Sequence, residues 1–441
     1  MCHKADLLPD DGYDDRLSAG LATNFDVSSH AFTHAIDGLS VRDQRVHDLG
    51  DQTFESKFVA PPAPVFGGLG PIYNNVSCIN CHRNDGGGLP ITGSATAGLL
   101  MRISQAGTDA NGGPVEVNGF GLQIQDQAIF GAKPEAGIET TYTEIPFTYQ
   151  DGTVVNLRHP EYKLLNPYIP ITVAYMLSPR LAPRLVGMGL LEKIPESTIL
   201  SFVDAGDQNG DGITGKANYV YDPYTRRTEL GRFGLKANAP TLLLQIAMAY
   251  QQDMGVTCYP APLESALGQE QYHQVIDNAS SELADTILNY VTFYVKTLAV
   301  PARRNVTDPD VKAGSVLFNQ VNCSACHRPT MISGPEPNVP QLSGQRIHPY
   351  TDLLLHDLGE GLADNRPDFL ASGREWRTQP LWGIGLLQKT TGAAYYLHDG
   401  RARSIEEAIL WHGGEAQKSR DAFVQLTQLQ RTQLMKFLNS L

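Results

Sequence analysis

The sequence predicts a mainly α-helical protein: two cytochrome c-like haem domains carrying loop-rich segments and short β-hairpin insertions. Three observations predict this. The pattern Cys-x-x-Cys-His occurs twice, at 78–82 and 323–327. Ahead of the second copy, residues 309–321 have the apolar spacing of a helix. At the end of the chain Leu426, Leu429, Leu434, Phe437, Leu438 and Leu441 form one apolar face of a terminal helix. Helix, Cys-x-x-Cys-His and terminal helix are the elements of a cytochrome c domain.

Cys-x-x-Cys-His is the attachment site of a c-type haem. The two thiols add to the haem vinyl groups, and the next residue brings its imidazole to the iron. Cys78, Cys81 and His82 form one such set, and Cys323, Cys326 and His327 the other. Chance would yield about 0.002 copies in a chain of this composition, so two copies imply two covalently bound c-type haems. The alternatives are a zinc site or a redox dithiol. Zinc needs two further ligands beside each motif, and no neighbouring Cys or paired His supplies them.

The 441 residues leave room for two or three domains, and 41% hydrophobic and 18% charged residues are those of an ordinary globular protein. Net charge is −13 with no run of Lys or Arg, which argues against nucleic acid or an anionic membrane surface as partner. An acidic surface would suit a small basic redox protein as electron donor, although solubility alone explains it equally simply. No apolar run approaches the roughly 18 residues of a membrane span. Covalent haem of this type is made outside the bacterial cytoplasm, so the expected location is the periplasm. The natural product should then carry a signal peptide; none is visible, and the sequence reads as a processed form with a starting Met. Four of the six cysteines sit in the motifs, leaving Cys2 and Cys258. Cys2 is a candidate lipid anchor, a candidate disulfide partner of Cys258, or a free thiol.

In chain order, residues 1–60 are polar and rich in Asp and His, with helical character near 39–49. His30, His34 and His47 are scattered as on a solvated surface. Residues 60–70 form a Pro/Gly loop leading to the first motif, and 83–88 a tight glycine turn beside it. Residues 110–160 carry β-like pieces at 140–148 and 152–156, read as a hairpin insertion. Residues 194–205 read as a helix entering the loop Asp207-x-Asn209-x-Asp211-Gly212. That loop has the alternate-oxygen spacing of a calcium site, although its twelfth position is Asn218 rather than Glu. The other reading is a metal-free Asp/Asn/Gly turn. Residues 240–251 and 280–297 read as buried helices, and the break at 299–305 divides the chain into 1–300, with the first haem, and 301–441, with the second.

Beyond the motifs, the chain resembles the bacterial di-haem cytochrome c peroxidase and MauG superfamily. It is most similar to the di-haem oxidoreductases, peroxidase-like proteins also called thiol oxidoreductases. The resemblance is carried by NNVSCINCHRNDG (74–86), MGLLEKIPES (188–197), GRFGLKANAPTL (231–242) and YLHDGRARSIEEAILWHGGEA (396–416). In that superfamily a His-Asp-Gly stretch precedes a helix that presents the sixth ligand of the C-terminal haem, fourteen residues after the His. Counting from His398 gives His412, where peroxidases place Met and MauG-type proteins Tyr. The resemblance thus implies His327/His412 ligation, with a lower potential than His/Met. The alternative is an ordinary helix-end histidine beside Gly413-Gly414. It implies too that Glu135, in Gln127-Ala128…Gly131…Pro134-Glu135, is the acid/base group for peroxide at the first haem. A surface Glu at a helix start is the competing reading. Relatives carry a Trp relay between the haems; the matching region here holds Phe120, which is far harder to oxidise. The superfamily also binds calcium. His159, Arg180 and Glu192 are further candidates for the first pocket, with packing roles the simpler reading.

The expected function is a periplasmic di-haem peroxidase. Electrons enter at the bis-His second haem and reduce hydrogen peroxide, or another small substrate, at the first. The alternatives are a di-haem electron-transfer cytochrome without peroxidase activity and a MauG-like oxidase of a protein or organic substrate. No spare Cys-x-x-Cys supports thiol chemistry. A homodimer is the association state to test.

Overall fold

The computed structural model describes residues 14–269 and 281–441; Cys2 lies outside them. Helix makes up 29% and strand 20% of the chain, the strand divided among many small sheets, which corrects the mainly α expectation. The cause lies between the two motifs. Glycine and proline, 42 and 28 in the chain, interrupt helices. Leu99–Thr108 instead buries alternate residues, as a half-covered strand does. It pairs antiparallel with Met176–Leu181 on one side and with Pro114–Val115 and Gln123–Ile124 on the other.

The hairpin expected at 140–148 and 152–156 is much longer. Gly137–Thr148 pairs with Val154–Leu165 over twelve residues, and Gly152 turns the chain at φ 83°. The arm starts just after Glu135 and ends on the region of the second Cys-x-x-Cys-His motif. There the Tyr149 hydroxyl donates to Glu406 at 2.8 Å, Arg431 pairs with Asp151 and Arg403 with Glu144.

The expected helices form with shifted ends. The 39–49 segment becomes Val41–Glu55, capped by Ser40, and the 240–251 segment becomes Leu242–Met254, capped by Thr241. The 280–297 segment becomes Asp285–Lys296. The 194–205 helix shrinks to Glu196–Leu200, because Pro195 fixes its start and the Asp/Gly loop follows at once. In the C-terminal third, Pro309–Gln320 starts on Asp308 with Pro309 in its first turn. The terminal helix is Gln428–Ser440, opened by the Thr427/Gln430 capping box and preceded by a separate helix, Gln417–Val424.

Two glycines set how closely these helices cross. A Cβ on Gly50 would stand 2.2 Å from the Tyr290 carbonyl oxygen, and one on Gly314 would stand 2.1 Å from that of Gln433. The largest apolar cluster runs from Ala19 to Leu387 and draws on both sides of residue 300. A second gathers Phe318, Tyr350, Leu410, Phe437 and the hairpin's Tyr149 against Cys323. Each ring withdrawn from water there contributes about 2 kcal/mol.

Candidate functional site

Cys78–Cys81 is a single helical turn with His82 at its C-terminal end. The turn is pinned by Ser77, whose hydroxyl donates to the Phe54 and Glu55 carbonyls. The His82 Nδ1 lies 2.8 Å from the Pro183 carbonyl oxygen. At the second motif, Cys323–Ala325 is a tight 3-10 turn, and the His327 Nδ1 lies 2.9 Å from the Tyr350 carbonyl oxygen. His412 ends the helix Ile405–Trp411 with its Nδ1 2.7 Å from the Ala408 carbonyl oxygen.

One arrangement thus recurs at three histidines. A carbonyl can only accept, so Nδ1 carries the proton and the Nε2 lone pair is left for a metal. Burial pushes His82 and His327 down to about 4 and His412 below its ordinary value, so all three stay neutral. Burial likewise pushes the Cys78 and Cys323 thiols up to about 12. The four motif cysteines are free thiols, part-buried like the three histidines. Among the described residues no group of three or more His, Cys, Asp or Glu converges as a metal site. Paired thiols with a neutral imidazole are the donor set a c-type haem takes, since the porphyrin brings its own four nitrogens.

The structure brings His412 to His327, close enough to lower its affinity for a proton. Glu135 is fully buried. One carboxylate oxygen accepts from the Gln125 backbone N–H at 2.7 Å and the other from the Gln269 amide at 2.6 Å. Burial holds it well above the usual carboxylate range. The Gln125 side chain continues to the Gln252 carbonyl, and Asn74 and Asn75 donate their backbone N–H groups to the Asp253 carbonyl. A polar network therefore connects Glu135 to the segment entering the first motif. Phe120 packs edge-on against Tyr168, ring centres 5.1 Å apart, in an apolar cluster with Met101, Ile103 and Leu164. His398 is buried and stacked on Trp376, centroids 3.7 Å apart and 11° from parallel.

Asp207, Asn209 and Asp211 accept the backbone N–H groups of Gly212, Asp211 and Ile213 as turn caps. The Lys418 ammonium holds the Asp211 carbonyl at 2.7 Å. Asn209 and Asp211 line one small cleft with Ala325, Asp352 and His356, beside the second motif. Arg180 belongs to a buried ion cluster, Glu192 pairs with Lys296, and the His159 ring lies against Trp411. Cys258 is fully buried.

Sequence reasoning missed His356. Its ring nitrogens lie 2.8 Å from Asp352 and 2.7 Å from Glu415, and Nδ1 is 3.6 Å from the Cys326 sulfur. Burial opposes its charge, but hydrogen bonds to Asp352, Cys326 and Glu415 raise it well above the ordinary range. A fixed imidazolium thus stands beside the second motif. Missed too was the buried cluster in which Lys236 donates to Asp364 at 2.8 Å, with Arg180, Arg366 and Asp368 around it. The closely spaced charges Asp364, Arg366 and Asp368 were the available signal.

The family described as "Di-haem oxidoreductase, putative peroxidase" matches residues 13–441. No curated protein matches significantly. Among solved structures, a chain of xenon-pressurised hydrazine synthase from Kuenenia stuttgartiensis is similar at 16% identity. The match covers 58% of this chain and 88% of that one with a TM-score of 0.26, too low to carry an argument. With the family matched along nearly its whole length, the chain belongs to the di-haem oxidoreductase family.

Proposed function

We propose that the protein is a periplasmic peroxidase that reduces hydrogen peroxide at the His82 site with electrons passed on from the His327/His412 site. The observation that carries the reading is an asymmetry between the two motifs. His327 has a second neutral imidazole, His412, among the groups that bear on its ionisation, whereas among the described residues none bears on His82. An iron closed on both faces suits storage and relay, and one open on a face suits chemistry. Bound at these two sites, the haems would supply the one-electron steps. Each peroxide takes two electrons and two protons to give two waters. Glu135, kept protonated by burial, is the proposed proton donor; to reach substrate its carboxyl must release Gln269.

Thiols and imidazoles at both motifs support covalent c-type attachment, and that chemistry supports the periplasm. Among the described residues no helix is long and apolar enough to cross a membrane. The acidic surface favours a small redox protein as donor. A calcium ion at Asp207, Asn209 and Asp211 would meet the Lys418 ammonium already seated on that loop, so the metal-free turn is the better reading. One observation favours the rival, a di-haem electron-transfer cytochrome: both Glu135 oxygens are already engaged. A peroxide assay on the fully reduced and half-reduced holoprotein decides between them. Turnover in either form is expected; none in both would leave the electron-transfer reading.

A further inference from the structure

Among the described residues, two guanidiniums on segments linked to the motif histidines lack counter-charges. Arg184 follows Pro183, whose carbonyl orients His82, and its own Nη2 donates to the Pro380 carbonyl at 2.7 Å. Its Nε is buried with no hydrogen-bond partner, and no carboxylate lies within ion-pair distance among the described residues. Arg377, on the same 377–380 segment, is 5% exposed. Its Nε donates to the Gly234 carbonyl and its Nη2 to Gln379, while Nη1 is buried and unpartnered. Among the described residues it forms no ion pair either, and the carboxylate that bears on it is Asp352, the partner of His356. The segment also reaches the second site, because the Leu381 N–H donates to the Pro349 carbonyl and the next carbonyl, of Tyr350, orients His327.

A buried, unpaired cation costs several kcal/mol, so interior charges are found paired. Arg377 is such a cation, and Arg184, itself part-buried, turns a buried and unpartnered Nε inward, so each is suited to an anion. With its vinyl groups taken up by cysteine, a c-type haem still carries two propionate carboxylates, and a guanidinium N–H fork is the donor that suits them.

We propose that Arg184 receives a propionate of the haem at His82 and Arg377 a propionate of the haem at His327, which makes 377–381 the joint between the two sites. The assignment rests on the di-haem reading but not on peroxide reduction. A crystal structure of the holoprotein tests it directly. A carboxylate oxygen is expected about 2.9 Å from Arg184 Nε and from Arg377 Nη1; water or a protein group at both positions overturns it. Spectroelectrochemistry gives the second test. Arg184→Gln should displace the reduction equilibrium of the first haem toward the oxidised form on the order of tenfold, and Arg377→Gln that of the second. Lysine variants, which keep the charge, should recover most of each shift. Midpoints unmoved in both Gln variants would overturn the assignment. Propionates found in place in a protein without peroxide turnover would instead sink only the peroxidase reading.

Discussion

The Ala408 carbonyl receives the Nδ1–H of His412 at 2.7 Å, one helical turn back along Ile405–Trp411. That bond fixes the tautomer and leaves the Nε2 lone pair free, and His412 is near enough to His327 to bear on its ionisation. His412→Ala should therefore convert the second haem from low to high spin and leave the first unchanged, read by electron paramagnetic resonance of the oxidised protein. His412→Met should keep it low-spin and raise its potential. A low-spin spectrum unchanged in the Ala variant would remove His412 as a ligand.

Glu135 is tied to Gln125 and Gln269, and burial holds it well above the usual carboxylate range. Glu135→Gln preserves size and hydrogen bonding but cannot give up a proton in the same way. Peroxide turnover should fall by about 10²- to 10⁴-fold, with both haem spectra intact. Turnover within about threefold of wild type would remove the carboxyl from proton transfer, since a general acid contributes far more.

Trp376 is buried, and its cross-strand neighbour His356 touches the Cys326 sulfur. It is nevertheless poorly placed to be oxidised. The Lys236 ammonium and the Arg180 guanidinium lie 4.5 and 5.0 Å from its ring centre, and two nearby cations disfavour a third positive charge. Its indole N–H is donated to the Leu362 carbonyl, which cannot take the proton away. Trp376→Phe should leave inter-haem electron transfer unchanged, measured by rapid photoreduction of one haem. It should cost roughly 1–3 kcal/mol of stability through the lost hydrogen bond and stacking. A tenfold slower transfer would instead mark Trp376 as a relay.

The candidate haem residues could be named where covalent spacing singles them out: Cys78, Cys81, His82 and their second-site counterparts from a five-residue pattern, and His412 from counting along a resemblance. The helices around the second motif were legible because Pro309–Gln320 and Gln428–Ser440 bury one face each. The β content was legible only in part, 140–148 and 152–156 of Gly137–Leu165, because these strands are half exposed and their alternation is broken by charged residues that pair only in three dimensions. Arg403 meets Glu144 and Arg431 meets Asp151 across more than 250 positions. The same non-locality hid His356, whose partner Glu415 lies 59 residues away. It hid Lys236 too, which reads as an ordinary surface lysine until Asp364 is brought to it.

His47, whose ring partner Tyr294 packs on Phe54 beside His82, gives the protein a predictable acid sensitivity. It is 4% exposed, its Nδ1 lies 2.8 Å from the Thr297 hydroxyl, and its ring packs on Tyr294. Burial pushes it down to about 4, against a weak opposing pull from Asp48. Its folded value lies below the unfolded value of about 6.5, so below pH 6.5 the unfolded chain binds a proton that the folded one refuses. Stability falls as pH drops from about 6.5 to 4 and levels off below that, this one group contributing about 3 kcal/mol in full. His47→Gln should be slightly less stable at pH 7, through poorer packing, and should lose stability more slowly on acidification by one proton's slope. Denaturant unfolding of the holoprotein at pH 7, 6, 5 and 4.5 measures both slopes. Parallel curves for wild type and variant would mean that His47 is already protonated in the folded protein at neutral pH, or is reached by water.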